Sequence, residues 1–368
     1  MKTINHLIGI ATFIAMLVTS TTFAQLDLPR GSQKATVSQT VGISKIYIKY
    51  SRPSVNGREV WGKLVPYGMN NLGFGTATES PWRAGANENT VIKFTDDVTI
   101  EGKPLKAGVY GLHMIVHEND TATLIFSNSH TAWGSYFYKP SEDALRVEVN
   151  TKSIPHTELL TYDFIAVDAN SATAALNWEK KQIPFKIELD VTSIVLNDIR
   201  QKLENQPGFN KQSWEQAANY ALNNGGDLDE ALSWVNAAIS GQFFSQQDFN
   251  NTNIKAGILN KLGRKDEAVA AIESYMPKAS LLEMHQIGRQ FITFGLTDKA
   301  LDVFKQNEKN NKGQWPVHYG LARGYSAQGN YKEALKHLRI ALKNAPNAGS
   351  KGRVQANIEK LEKGEDIN

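Results

Sequence analysis

The apolar residues of this chain change their period near Val191, and that change limits the folds open to it more than any other feature. Before it they alternate, which places them on one face of a strand; after it they recur every three or four residues, along one side of a helix. Two folded bodies of different class are therefore expected, and 368 residues suffice for a core in each.

The first body reads from Gln33 to Val191. In residues 45–50, Ile46, Ile48 and Tyr50 share one face while Lys45, Tyr47 and Lys49 share the other. Comparable runs follow at 89–95, 97–102, 108–116, 122–128, 144–150, 160–167, 173–178 and 183–191, parted by Gly, Pro, Asn and Asp turn signals. Many short strands without helical crossovers predict an antiparallel β-sandwich, with a jelly roll as one topology. The exception is a long connection over 57–88, rich in Gly and Pro. Connections of that length inside a compact domain usually serve a function or have no fixed structure.

The second body carries an internal repeat. Ala231, Ala268, Ala300 and Ala334 each lie five residues after a glycine (Gly226, Gly263, Gly295, Gly329), at intervals of 37, 32 and 34 residues. A small residue at that place lets two antiparallel helices approach closely, and the glycine permits the turn between them. Residues 315–346 resemble the tetratricopeptide repeat most clearly, through Leu321, Ala322, Tyr325, Gly329, Ala334, Leu338, Ala341 and Pro346. Earlier copies depart from the pattern at Asn219, Lys255 and Asn307. The expected fold is thus a β plus α two-domain chain, an antiparallel β-sandwich followed by an α-helical tetratricopeptide-like solenoid. Its expected parts are a leader (1–24), the sandwich (25–192), a linker or helix (193–211), four repeats (212–348), and a capping helix and tail (349–368).

The leader reads as a signal peptide: Lys2, an apolar stretch over 7–18, and a small-residue cleavage site ending at Ala24. Twelve apolar-rich residues fall short of the roughly 20 that span a bilayer. A periplasmic or secreted address is expected, with no integral membrane segment once the leader is cleaved. Cysteine is absent, which removes disulfides, thiolate metal sites and a cysteine nucleophile. Losing the leader takes Lys plus Arg from 40 to 39 against 37 Asp plus Glu, a net charge of +2. So balanced a chain does not point to nucleic acid as a partner.

Residues 50–68, 82–94 and 100–113, followed by 133–138, are similar to the domain-of-unknown-function family 2911. The run of Arg-Pro-Ser, Gly-Arg, Trp-Gly and Trp-Arg-x-Gly-Ala-Asn-Glu carries the likeness. What it implies is an exported protein, commonly from Bacteroidetes, sometimes with tetratricopeptide repeats at its carboxyl end; no activity comes with it. Residues 69–80 are an insertion against the usual spacing, placed to extend a rim or remodel a pocket.

Arg52, Arg58, Trp61, Trp82, Arg83, Asn87 and Glu88 border the long connection and form the candidate site of the first body. Three uses stay open: a structural network with an Arg83–Glu88 pair and Asn87 capping the turn, a ligand site for a carboxylate, phosphate or acidic sugar between indoles, or catalysis with Glu88 as acid or base. His113 and His117 share a strand face about 13 Å apart, too far to ligate one metal. No metal and no cofactor are expected, and no zinc-protease, nucleophile-elbow or phosphate-loop motif is present. In the repeats, positions 5, 9 and 12 of each first helix should face the concave side. They hold Gln216, Tyr220, Asn223, Asn253, Gly257, Asn260, His285, Arg289, Ile292, Tyr319, Arg323 and Ser326. Amides and arginines there suit an extended peptide. The expected function is binding, with a protein or peptide partner on the repeats and a small anionic or glycan ligand on the sandwich. The rivals are an envelope glycan-acting enzyme centred on Arg83 and Glu88, and a purely structural envelope protein.

Overall fold

The computed structural model describes residues 29–368, so the expected leader lies outside the described residues. The chain divides between Leu189 and Asp190 into two units.

The first unit is built from ten strands: β1 Lys34–Val41, β2 Ser44–Ser51, β3 Thr90–Phe94, β4 Val98–Ile100, β5 Lys103–Leu105, β6 Gly108–Val116, β7 Thr121–Ser127, β8 Asp143–Asn150, β9 Lys152–Val167 and β10 Ser171–Glu188. They form a six-stranded sheet, β1-β2-β3-β6-β7-β8, and a four-stranded sheet, β5-β4-β10-β9. Every pairing between these strands is antiparallel. The alternation read in β2 is realised, with Ile46 and Ile48 fully buried beside solvent-facing lysines. The sheets meet through Phe126 on β7 against Phe185 on β10 and Tyr50 on β2 against Tyr162 on β9.

Residues 173–178 and 183–191, read as separate strands, are largely one strand, β10. Ala172, Ala174, Leu176 and Trp178 are buried on even numbers, while Ile183, Phe185 and Ile187 are buried on odd ones. Glu179 sits at the change with φ 53° and a break in register against β9. The left-handed backbone of Glu179 interrupts the alternation, so that beyond it the odd positions face the core, while β9 carries the extra residues opposite the break.

The connection between β2 and β3 contains no named strand and is fixed by short bridges, Ser54 to Leu159, Trp61 to Val65, Asn70 to Ser80 and Trp82 to Met114. The Trp82 bridge extends the β3 side of β6, which places Trp82 in line with β3 in the middle of the large sheet.

The second unit is helical: α1 Val191–Leu203, α2 Lys211–Asn224, α3 Leu228–Ile239, α4 Phe249–Lys261, α5 Lys265–Tyr275, α6 Leu281–Thr293, α7 Thr297–Asn310, α8 Trp315–Ala327, α9 Tyr331–Asn344 and α10 Ala348–Glu362. Asp227 caps α3, and Asp248–Asn251 and Ser280–Glu283 form capping boxes on α4 and α6. Ala231, Ala268, Ala300 and Ala334 are all fully buried. The turn glycine of the first pair is Gly225, at φ 80°, one residue before the Gly226 of the repeat alignment. Asn307 is tolerated at a buried alanine position because its amide donates to the Leu281 carbonyl at 3.0 Å.

Between the third and fourth pairs, Phe304 of α7 fills a niche floored by glycine. A β-carbon at Gly288, Gly320 or Gly324 would come within 2.3, 2.7 and 2.9 Å of its ring. No helix among the described residues is long and apolar enough to cross a membrane.

Candidate functional site

The stretch 82–88 is held as a strained turn. Ala84 and Asn87 have φ of 49° and 61°, a region that side chains with a β-carbon seldom enter. The Ala84 carbonyl accepts from Thr90 Oγ1 and from the Tyr162 hydroxyl, each at 3.0 Å, which pins the turn to both sheets. Arg83 donates to the Asn87 carbonyl at 2.7 Å, and its guanidinium lies 4.9 Å over the Tyr136 ring. It fits there because residue 134 is glycine, whose β-carbon would stand 2.4 Å from the guanidinium.

The expected Arg83–Glu88 pair does not form. Glu88 binds Arg30 at 2.6 Å and Lys34 at 3.0 Å instead, turned toward a separate cleft of about 180 Å³. Burial raises the Glu88 pKa, but its own backbone amide and the bonds from Lys34 and Arg30 outweigh burial and hold it down at about 2. A carboxyl so firmly ionised cannot act as a general acid near neutrality. The sign of the shift sets a pH test. The stabilisation from ionised Glu88 is complete above about 4.5 and disappears as pH falls through about 2. With the side chain 29% exposed, solvent screening reduces its worth to about 1 kcal/mol. Urea unfolding of wild type and Glu88→Gln should differ by that amount at pH 7 and converge by pH 2; a gap unchanged by pH contradicts it.

Arg58, Trp82 and Arg83 do come together, in a cavity of about 450 Å³ that Trp178, Ser135, Ser32, Asn70 and Leu72 also line. Trp82 stacks on Trp178 at 5.9 Å and 16°, and Trp61 meets both edge-on from behind. The Trp61 and Trp178 indole nitrogens are buried without acceptors. Among the described residues no aspartate or glutamate lines the cavity, and neither Arg58 nor Arg83 forms an ion pair with a carboxylate. Arg58 is fixed by the Val55 and Ser54 carbonyls, at 3.0 and 2.6 Å. Arg52 belongs to the framework: it bonds the Leu160 carbonyl and Thr161 on β9. Asn87 reaches the Ser32 carbonyl at 3.0 Å.

At the cavity wall, His113 Nδ1 lies 2.9 Å from Ser135 Oγ. Burial, and after it the charge of Arg83, pushes this histidine down to about 4. Both influences oppose an imidazolium, so the pair anchors Ser135 rather than activating it. His117 binds Thr123 instead, at 3.0 Å. Among the described residues no cluster of three or more His, Asp or Glu is placed to hold a metal ion.

In the helical unit, Asn223, Asn253, Gly257, Asn260 and Arg289 line one groove of about 570 Å³ with Lys261 and Gln290. Asn260 Oδ1 and Gln290 Oε1 are buried there without donors. Arg289 donates to Gln286 Oε1 at 3.3 Å, and among the described residues no acid lines the groove. Gln216 is exposed and Tyr220 packs half-buried against the core, both outside this groove. His285 is also outside: it stacks on Tyr319 at 5.9 Å and packs on Phe304, and burial, then Arg323 and Arg289, lower its pKa to about 4. Arg323 lies 5.1 Å over Tyr319 and is bonded to the carbonyl of Ile367, so it is not open to a partner.

Residues 32–187 match the family described as protein of unknown function, DUF2911. The sandwich is similar to the DUF2911 family over nearly its whole length. Residues 315–348 match the tetratricopeptide repeat. Similar solved structures include a tetratricopeptide repeat protein from Parabacteroides merdae, with a TM-score of 0.34 and 16% identity over 48% of this chain and 75% of that one. YrrB, described as a repeat protein with an unusual peptide-binding site, gives 0.31 and 17% over 45% and 84%. The carboxyl-terminal part of a repeat protein from Cytophaga hutchinsonii gives 0.34 and 18% over 47% and 66%. No curated protein sequence matches the chain.

Sequence reasoning missed Trp178, the cavity-lining residue supplied by β10. Its signal was a tryptophan ending a run of small apolar residues on a strand. Asn70, Asn71, Leu72 and Ser80 of the stretch 69–80 line the cavity.

Proposed function

We propose that the chain is an exported envelope protein that works by binding, its repeats holding an extended protein segment and its sandwich cavity a small anionic or glycan ligand. The observation that carries the first part is a groove lined by the amides of Asn223, Asn253, Asn260 and Gln290 together with Lys261 and Arg289. Side-chain amides both donate to and accept from the backbone of an extended segment. Lys261 and Arg289, with no acid between them, favour a segment carrying carboxylates. For the cavity, the support is two arginines that form no ion pair with a carboxylate among the described residues, beside stacked indoles. Planar guanidinium groups take carboxylate or phosphate, and an indole face takes the apolar side of a sugar ring. Export rests on the leader pattern from Lys2 to Ala24.

One paired experiment tests both parts. Partners captured from an envelope extract by the full mature chain should fall at least about tenfold with Asn260→Ala plus Arg289→Ala, while Arg58→Ala leaves capture intact. Calorimetric binding of galacturonate and inorganic phosphate should show the reverse dependence. Arg289 and Arg58 are exposed, and substitutions there normally change stability by about 0.5 kcal/mol or less, so Arg289→Ala alone and Arg58→Ala should melt like wild type. Capture unchanged by the groove pair removes the peptide reading; no heat with either anion removes the cavity reading.

A further inference from the structure

The inner face of the fourth repeat is already filled, and by the chain itself. After α10 the backbone reverses at Gly364, with φ 79°, and residues 366–368 bond back to α8 outside any helix or strand. Their contacts fall on two of the inner positions, Arg323 and Ser326. The Asp366 carboxylate accepts from Ser326 Oγ at 2.5 Å, and the Ile367 amide donates to the same oxygen at 3.2 Å. The Ile367 carbonyl accepts from Arg323 Nη1 at 3.2 Å, and the Asn368 amide donates to the Arg323 carbonyl at 3.1 Å. Ile367 is 5% exposed, in the apolar cluster of Ala322, Leu338, Val354 and Ile358. Tyr319, at the third inner position, supports Arg323 from below and accepts from Asn357 at 2.7 Å.

A helix that closes a repeat stack needs only an apolar side toward the stack and a polar one outward. Here a short segment outside any helix has in addition its acid side chain, its aliphatic side chain and the Ile367 carbonyl individually received, and the Ile367 amide is shared between Ser326 Oγ and Asp366 Oδ1. Extended peptides are held in this way: main-chain bonds give affinity and side-chain pockets give selectivity.

We propose that the inner face of the fourth repeat is a binding site for an extended segment of the pattern acid–aliphatic–amide, that residues 366–368 occupy it in cis, and that a partner segment of the same pattern enters by displacing them. Occupation in cis operates at a high effective concentration, so only a partner with further contacts, such as those of the groove at Asn260 and Arg289, competes well. The site stands whether or not that groove binds a partner.

The test uses the full chain and a fluorescent peptide copying residues 360–368. Two full-length variants release the segment: Ile367→Asp, and Asp366→Ala, which keeps the isoleucine. Each should bind the peptide at least tenfold more tightly than wild type does, and adding Ser326→Ala plus Arg323→Ala should cancel the gain. Amide exchange at residue 367 should accelerate in both variants while α8 and α9 keep their protection. Equal affinity in wild type and variants, no binding by either released chain, or a gain that survives the Ser326 and Arg323 changes overturns the proposal. Loss of partner capture through Asn260 and Arg289 is read separately, because the peptide assay contains no partner.

Discussion

Replacing Trp178 by alanine should lower the stability of the β unit by about 3–5 kcal/mol, the range for removing a large buried aromatic side chain. The side chain is 1% exposed and is the largest one fully buried among the described residues. Its ring is the stacking partner of Trp82 and an edge partner of Trp61, so its loss leaves both of those indoles without a backing. The bulge at Glu179 follows it directly and leaves little slack for the strand to close the void. Trp178→Phe should cost far less, because it keeps most of the ring and removes an indole N–H that has no acceptor. Urea unfolding followed by near-ultraviolet circular dichroism checks the pair; an alanine variant within about 1 kcal/mol of wild type would show that the cavity collapses around the site.

The second large effect belongs to Phe304, whose replacement by alanine should again cost about 3–5 kcal/mol. The ring is 1% exposed and fills the niche at Gly288, Gly320 and Gly324, where no other side chain stands in its place. Repeat arrays are held by contacts between neighbours only, so the damage should stay local. Hydrogen exchange is expected to speed up across α6, α7 and α8 while α2 to α5 keep their protection. Uniform acceleration across the helical unit would mean that the array unfolds as one block.

Much of the architecture was legible because its causes are local. Alternation on β2 follows from two faces of one strand, and the buried alanines follow from close helix approach at a repeating offset. The site was legible only in part, because its contacts cross long stretches of chain. Glu88 is five residues from Arg83, yet its partners are Arg30 and Lys34. Arg323 and Ser326 were placed on the inner face from their spacing, but nothing in that spacing says that residues 366–368 lie on them. The bulge at Glu179 escaped notice for a related reason: a break in alternation looks like the end of a strand when the partner strand is unseen. His285 was read as open because its spacing fits the groove, whereas packing on Tyr319 and Phe304 removes it from solvent.

The glycine niche around Phe304 also bears on how this array can be rebuilt or diversified. Helical repeats are often treated as interchangeable bricks, and a brick with an ordinary alanine at position 288 or 320 would drive a methyl group to within 2.3 or 2.7 Å of the ring. Either half of the contact is therefore incompatible with a generic neighbour. Recombination or consensus grafting that cuts between α6 and α7, or between α7 and α8, should yield misfolded hybrids, whereas transfer of 281–327 as one cassette should preserve the fit.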